Sequence, residues 1–219
     1  MESKISKMTL KQRFAGVVSY FAEHNPDADT ELNFGSEFQL LVAVVLSAQC
    51  TDKRVNMVTP ALVAQNPTAE AMAAAPVEAI YEKIKSVSYP NSKASHLSGL
   101  AKMLVSDFGG QVPQTMEELQ RLPGVGRKTA NVMLAVAFEQ PAMAVDTHVF
   151  RVAHRIGLVK NAETPLETEK QLVKHIPKEQ LRVAHHWLIL HGRYVCTARN
   201  PQCAKCGISA FCAYYHDKL

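Results

Sequence analysis

Leu122-Pro123-Gly124-Val125-Gly126-Arg127-Lys128-Thr129-Ala130 is the stretch on which the reading of this chain turns. Pro123-Gly124 suits a tight turn, because Pro brings a fixed φ and Gly tolerates a positive one. Gly126 gives a second permissive position. A helix then starts at Arg127 or Lys128, since Ala130, Met133, Leu134, Ala137 and Phe138 recur with helical period. The result is a helix N-terminus whose amides have no side chains in front of them. Amides and helix dipole both favour an anion there, so the string reads as a phosphate site. It reads equally as a plain corner between two helices with no ligand.

Outward from that corner, the pattern stays helical. Phe38, Leu41, Val42, Val45 and Leu46 recur at i, i+3, i+4, i+7 and i+8, and Val149, Val152, Ala153 and Ile156 repeat the theme. Thr115 with Glu118 forms a capping box, and Thr164-Pro165 with Glu167 adds Pro at the first helical position. Gly157 and Gly109-Gly110 mark helix ends. No period-2 strand, hairpin signal, low-complexity stretch or long repeat occurs. The fold class is therefore all-α. Polar Pro26–Asn33 and helix-breaking Gln140-Pro141 divide the chain, with the segment between them as one helical unit and the two ends of the chain meeting in another.

Whole-chain properties set limits. The 219 residues suffice for one large domain or two small ones, and 47% apolar composition indicates a packed core rather than disorder. The formal charge of +4 permits an anionic partner without demanding one. Met1 to Met8 alternates charged and apolar residues and has no signal-peptide core, and no apolar run exceeds the seven residues of Leu40–Leu46. A cytoplasmic protein without targeting signal is expected, away from membranes, with its five cysteines as thiols or metal ligands.

Four of those cysteines, Cys196, Cys203, Cys206 and Cys212, fall within seventeen residues as C-x6-C-x2-C-x5-C. Such clustering means metal, but the spacing alone leaves zinc and iron–sulfur open. Thr197–Gln202 lies between the first two ligands, flanked by Arg193, Arg199 and Lys205, and a pinned basic loop can grip phosphates. Asp146, in Val145-Asp146-Thr147-His148-Val149-Phe150-Arg151-Val152, stands immediately before a helix and reads as its N-cap.

Together these motifs resemble the endonuclease III family, a likeness that runs from a helix near Thr9 to Cys212. Leu122–Ala130 looks like that family's helix-hairpin-helix (about 116–138), in which Gly124, Val125, Gly126 and Arg127 face DNA. A lysine at the position of Lys128 attacks C1′ of the damaged nucleotide in its bifunctional members. Attack requires a neutral amine, and partial burial and the helix N-terminus both disfavour the ammonium. An aspartate eighteen residues later supports the nucleophile and the charge developing on the sugar, and here 146 − 128 = 18. His148 orients a group nearby.

The resemblance implies a mechanism and a fold. A flipped nucleotide leaves a gap in the duplex. Leu46-Ser47-Ala48-Gln49 is similar to the motif whose glutamine enters it, and Gln49 can bond an orphaned base through both ends of its amide. A second wedge lies on the loop matching Ser88-Tyr89-Pro90-Asn91. Many relatives carry Leu where Tyr89 stands, though an aromatic ring can also stack on bases. Cys50 departs from the small residue usual after the glutamine and reads as a buried thiol. The cysteine spacing matches the family's [4Fe–4S] cluster, and Arg199 lies on the cluster loop. A six-helix barrel would span 30–140, and residues 1–29 with 141–219 would form an iron–sulfur domain (cluster loop 196–212), with the site in the cleft between them.

The implied activity is base excision repair. The enzyme removes oxidised pyrimidines from double-stranded DNA and cleaves at abasic sites by β-elimination through a lysine Schiff base. It is expected to be a monomer of bacterial type, associated with the nucleoid through DNA. The related adenine glycosylases use a glutamate on the buried helix, but Leu40–Leu46 holds no carboxylate. They also carry a further C-terminal domain, and this sequence ends seven residues after Cys212. A non-catalytic DNA-binding or redox-sensing protein would lack Lys128 or Asp146. A zinc-stapled DNA-binding module would lack visible iron absorption.

Overall fold

The computed structural model describes residues 8–218. The leader reading of Met1 to Met8 thus falls, but for Met8, outside the described residues. Every element described is helical: α1 (Leu10–His24), α2 (Glu37–Ser47), α3 (Asp52–Gln65), α4 (Ala69–Ala74), α5 (Val77–Ile84), α6 (Pro90–Phe108), α7 (Met116–Leu119), α8 (Arg127–Val136), α9 (Thr147–Ile156), α10 (Pro165–His175), α11 (Leu181–Tyr194) and α12 (Ala213–Lys218), with short 3-10 turns between Lys178 and Phe211. None of these is long and apolar enough to cross a membrane. The chain divides into two compact units, Thr30–Glu139 and Met1–Asp29 with Gln140–Leu219.

In the 30–139 unit, α2 is the centre. Phe38 and every residue from Leu40 to Leu46 are buried, so this helix is apolar all round rather than on one stripe. Each of its leucines contributes about 1.5–3 kcal/mol by leaving water. Ser36 caps its start through Gln39 N–H. Helices α3, α6 and α8 pack against it, and α6 in turn carries α4 and α5. Helix α6 ends on Gly109 at φ 59, with the Gly110 amide returning to Leu104 O at 2.9 Å.

The other unit is built from both ends of the chain. Phe14, Val17 and Phe21 of α1 share a core with Val149, Val152, Ile156, Trp187 and Ile208, and Trp187 Nε1 donates to Asn25 O at 2.7 Å. Helix α11 packs on α9 and α1. At the end of α9 the Leu158 amide reaches back to Ala153 O at 2.9 Å over Gly157 at φ 83, the six-to-one bond of a glycine-terminated helix.

The caps show where the sequence signals worked. Thr164 and Glu167 make the full capping box at α10. Thr115 caps α7, but the Glu118 carboxylate accepts from the Thr115 hydroxyl at 2.8 Å. The reciprocal half of the expected box is thus spent between side chains. Helix α8 stops at Val136, short of Phe138, because Glu139 takes φ 52 and turns the chain away.

Candidate active site

The hairpin corner has the geometry its sequence dictates. Val125 N–H donates to Leu122 O at 3.0 Å across Pro123-Gly124, with Gly124 at φ 79. A Cβ on Gly124 would also meet His96 Cβ at 3.0 Å, so α6 presses on the turn. Gly126 differs from expectation. Its φ of −91° is open to any residue, and it serves as the N-cap of α8 with no side chain over the first amides. The Val125 side chain is buried and its amide is committed to the turn, so it anchors the corner. Gly124, Gly126 and Arg127 are exposed.

Lys128 is the second residue of α8 and is exposed, against the partial burial expected above. Water reaches this side chain.

Two further exposed residues stand in the same unit. Gln49, just beyond the end of α2, and Tyr89, the N-cap of α6, both adopt φ 53. Ser88 Oγ donates to Gln49 O at 2.6 Å and ties the two loops. Cys50 closes the turn through its amide to Ser47 O at 3.0 Å and is half-buried rather than buried, since it lies past the helix end.

Asp146 belongs to the other unit. It is half-buried and caps α9, its Oδ1 accepting from Val149 N–H at 2.8 Å. Its charge acts on buried His185, whose titration burial nonetheless pushes down to about 3, with neighbouring His186 adding to the fall. His148 is half-buried, and its Nδ1 accepts from Arg151 at 3.2 Å. That guanidinium also donates to Gly192 O at 2.8 Å and to Cys196 O at 3.2 Å. One arginine therefore joins the histidine to the first cysteine.

The four cysteines line one pocket with Ile156, His191 and Ile208. Arg155 grips the intervening loop, donating to Thr197 O at 2.7 Å, Ala198 O at 2.8 Å and Cys196 Sγ at 3.5 Å. Gln202 closes it through its amide to Val195 O at 2.9 Å and its side chain to Tyr194 O at 3.1 Å. Arg199 and Lys205 are exposed on this segment. Burial pushes the Cys206 thiol up to about 11; the Ile208 amide opposes that rise, and charge on Cys212, Cys196 and Cys203 adds to it.

Residues 42–178 match the HhH-GPD superfamily of base excision DNA repair proteins, and residues 196–212 match the iron–sulfur binding domain of endonuclease III. The chain is 49% identical over 201 residues to endonuclease III of Rickettsia conorii, covering 92% of this chain and 95% of that one. It is 48% identical to endonuclease III of Bacillus subtilis, with 85% of each covered. The solved structure of a trapped endonuclease III–DNA covalent intermediate matches it with TM-score 0.90 and 44% identity, over 96% of this chain and 99% of that one.

The chain belongs to the endonuclease III family. It is a DNA glycosylase and abasic-site lyase of base excision repair, with an iron–sulfur cluster as cofactor. The donor set fits that group. Cys196, Cys203, Cys206 and Cys212 stand around the walls of one shared pocket, and four thiolates are the ligand set that such a cluster takes.

Arg151 and Arg155 were missed by the sequence reading. Their i, i+4 spacing puts both on one face of α9, which is the signal that could have found them. Ser88 and Lys93 carried no signal, because their partners are carbonyls about forty residues away in sequence.

Proposed function

We propose that this enzyme acts on oxidised pyrimidines in duplex DNA as a monomer, with Lys128 as the nucleophile and Asp146 as its electrostatic partner. The 30–139 unit would be the six-helix barrel, and the other unit the iron–sulfur domain. The observation that carries the reading is Lys128 itself, exposed on the first turn of a helix that opens from a glycine hairpin.

The chemistry follows from that placement. The amine of Lys128 attacks C1′, the damaged base departs with its electron pair, and the sugar ring opens to a protonated Schiff base. The iminium acidifies the 2′ hydrogens. Loss of one expels the 3′ phosphate and breaks the strand. Asp146, held as an N-cap by its bond from Val149, keeps one fixed carboxylate orientation and stabilises the cation as it forms. Gln49 and Tyr89 fill the space the flipped nucleotide leaves, and the bare amides of Gly124 and Gly126, with Arg127, hold phosphate. His148 steadies the surroundings of Asp146 from two residues away. Cys196, Cys203, Cys206 and Cys212 hold the cluster, which pins the loop carrying Arg199 against phosphate. The cluster supplies cationic iron that gathers four otherwise repelling thiolates, and no step of the strand chemistry runs through it.

Borohydride trapping on a thymine glycol duplex tests the reading. Wild type should form a covalent protein–DNA adduct, and Lys128→Ala should form none while binding the duplex normally. Asp146→Asn should slow the single-turnover reaction roughly 10²-fold or more, the scale of one lost catalytic group. Strand cleavage by Lys128→Ala at the wild-type rate would overturn the assignment.

A further inference from the structure

Lys93 is the unexpected residue of the barrel unit. It lies in the first turn of α6, four residues after the exposed Tyr89, and is only 5% exposed. A lysine is seldom buried without partners. Its Nζ donates to Leu46 O at 2.8 Å and to Ala48 O at 2.7 Å, the carbonyls that the ending of α2 leaves without helical partners. A cation at a helix C-terminus also meets the negative end of the dipole. Its own amide donates to Tyr89 O at 3.1 Å. A single residue therefore grips the backbone on both sides, one residue before Gln49 and at Tyr89 itself.

Both of these residues sit at φ 53, a region that costs an L residue about 1–2 kcal/mol and that a loop leaves unless it is held. Ser88 Oγ to Gln49 O supplies the second tie between the loops. Three residues beyond Lys93, His96 backs Gly124 of the hairpin. Helix α6 thus sets the register of three exposed loops with its first turns.

We propose that Lys93 is a positioning residue for base extrusion: it fixes Gln49 and Tyr89 as one preorganised pair, so that the duplex is opened by a rigid wedge. Burial lowers the titration of this ammonium, and the neutral amine would still donate to both carbonyls, with less strength than the ammonium. The inference rests on the wedge reading of Gln49 given above.

The test separates extrusion from chemistry. A 2-aminopurine placed opposite thymine glycol reports extrusion by stopped-flow fluorescence. Borohydride trapping on a single-stranded oligonucleotide with an abasic site, where no stack needs opening, counts active enzyme. Lys93→Met and Ser88→Ala should slow extrusion per active enzyme roughly 10-fold to 10²-fold, as for a misplaced positioning group. Trapping on the single strand should stay at the wild-type level. Gln49→Ala serves as the reference. If it slows extrusion while Lys93→Met and Ser88→Ala match wild type, the positioning role is wrong and the wedge stands. If Gln49→Ala itself leaves extrusion unchanged, the wedge reading falls and the inference with it. Should Lys93→Met not fold, Lys93→Gln, which keeps a shorter, uncharged donor group, takes its place. An intermediate extrusion rate supports the role and a wild-type rate overturns it.

Discussion

The hairpin at 122–130 and the cysteine loop at 196–212 are built by opposite means. The hairpin is backbone: a turn closed by the Val125 amide, a glycine at positive φ, a buried Val125 anchor and α6 pressed against it. The loop is side chain: Arg155 on two carbonyls and a sulfur, Gln202 on Tyr194, and four cysteines lining one pocket. The first is complete when the chain has folded. The second lines a pocket with four thiols, two of which, Cys206 and Cys212, are pushed upward chiefly by burial, and it is completed by its cluster. A protein can thus complete one rigid element from its own core and the other with a cofactor.

Removing one thiol is the strongest way to break that contrast. Cys206→Ser should abolish the visible absorption of thiolate-bound iron and, on the proposed function in which the 196–212 loop grips phosphate, weaken DNA binding by at least about tenfold. The protein should still trap on abasic DNA at high concentration, because the hairpin and Lys128 stay folded. Absorption, fluorescence anisotropy and trapping on one preparation would show it. Complete loss of trapping would make the two elements one.

Acid should strike the two units unequally. His185 and His186 are buried and titrate at about 3 and about 4, below the usual histidine value of 6.5, while the 30–139 unit holds only exposed His96. The unfolded chain takes up these protons first, so their contribution is fully present above pH 6.5 and is lost as pH falls toward 4. The slope is at most about 1.4 kcal/mol per pH unit for each histidine. The urea midpoint read by fluorescence of Trp187, the only tryptophan, should fall over that window. A flat midpoint would show that these histidines are protonated in the folded protein.

The smallest effect sharpens the hairpin side. Gly124→Ala puts a side chain at φ 79 and against His96 Cβ, and should cost about 1–2 kcal/mol of stability with weaker duplex binding and intact iron absorption. Unchanged binding would move the phosphate contact away from this turn.

Local signals carried most of this in the sequence. Helix periodicity, the Pro-Gly turn, the Asp146 cap and the cysteine spacing each act within a few residues, and the family resemblance added what they do. What escaped was tertiary. The exposure of Lys128, the committed amide of Val125 and the ordinary φ of Gly126 depend on how neighbouring turns close. Arg151 and Arg155 showed only their shared helix face, and Lys93 showed nothing, because all three act on carbonyls of distant segments and a carbonyl leaves no mark in an amino-acid sequence.

The bond from Trp187 to Asn25 and the core shared by Phe14, Phe21 and Ile208 have a consequence during synthesis. Helix α1 leaves the ribosome before the other described helices, yet its apolar face has nothing to cover it until α9, α11 and Ile208 have followed. At about 5–20 residues per second that delay is on the order of 10–40 s, while the 30–139 unit can already close on itself. The nascent chain therefore exposes Phe14, Val17 and Phe21 over that interval, which makes α1 the segment where a chaperone would be expected to hold this protein.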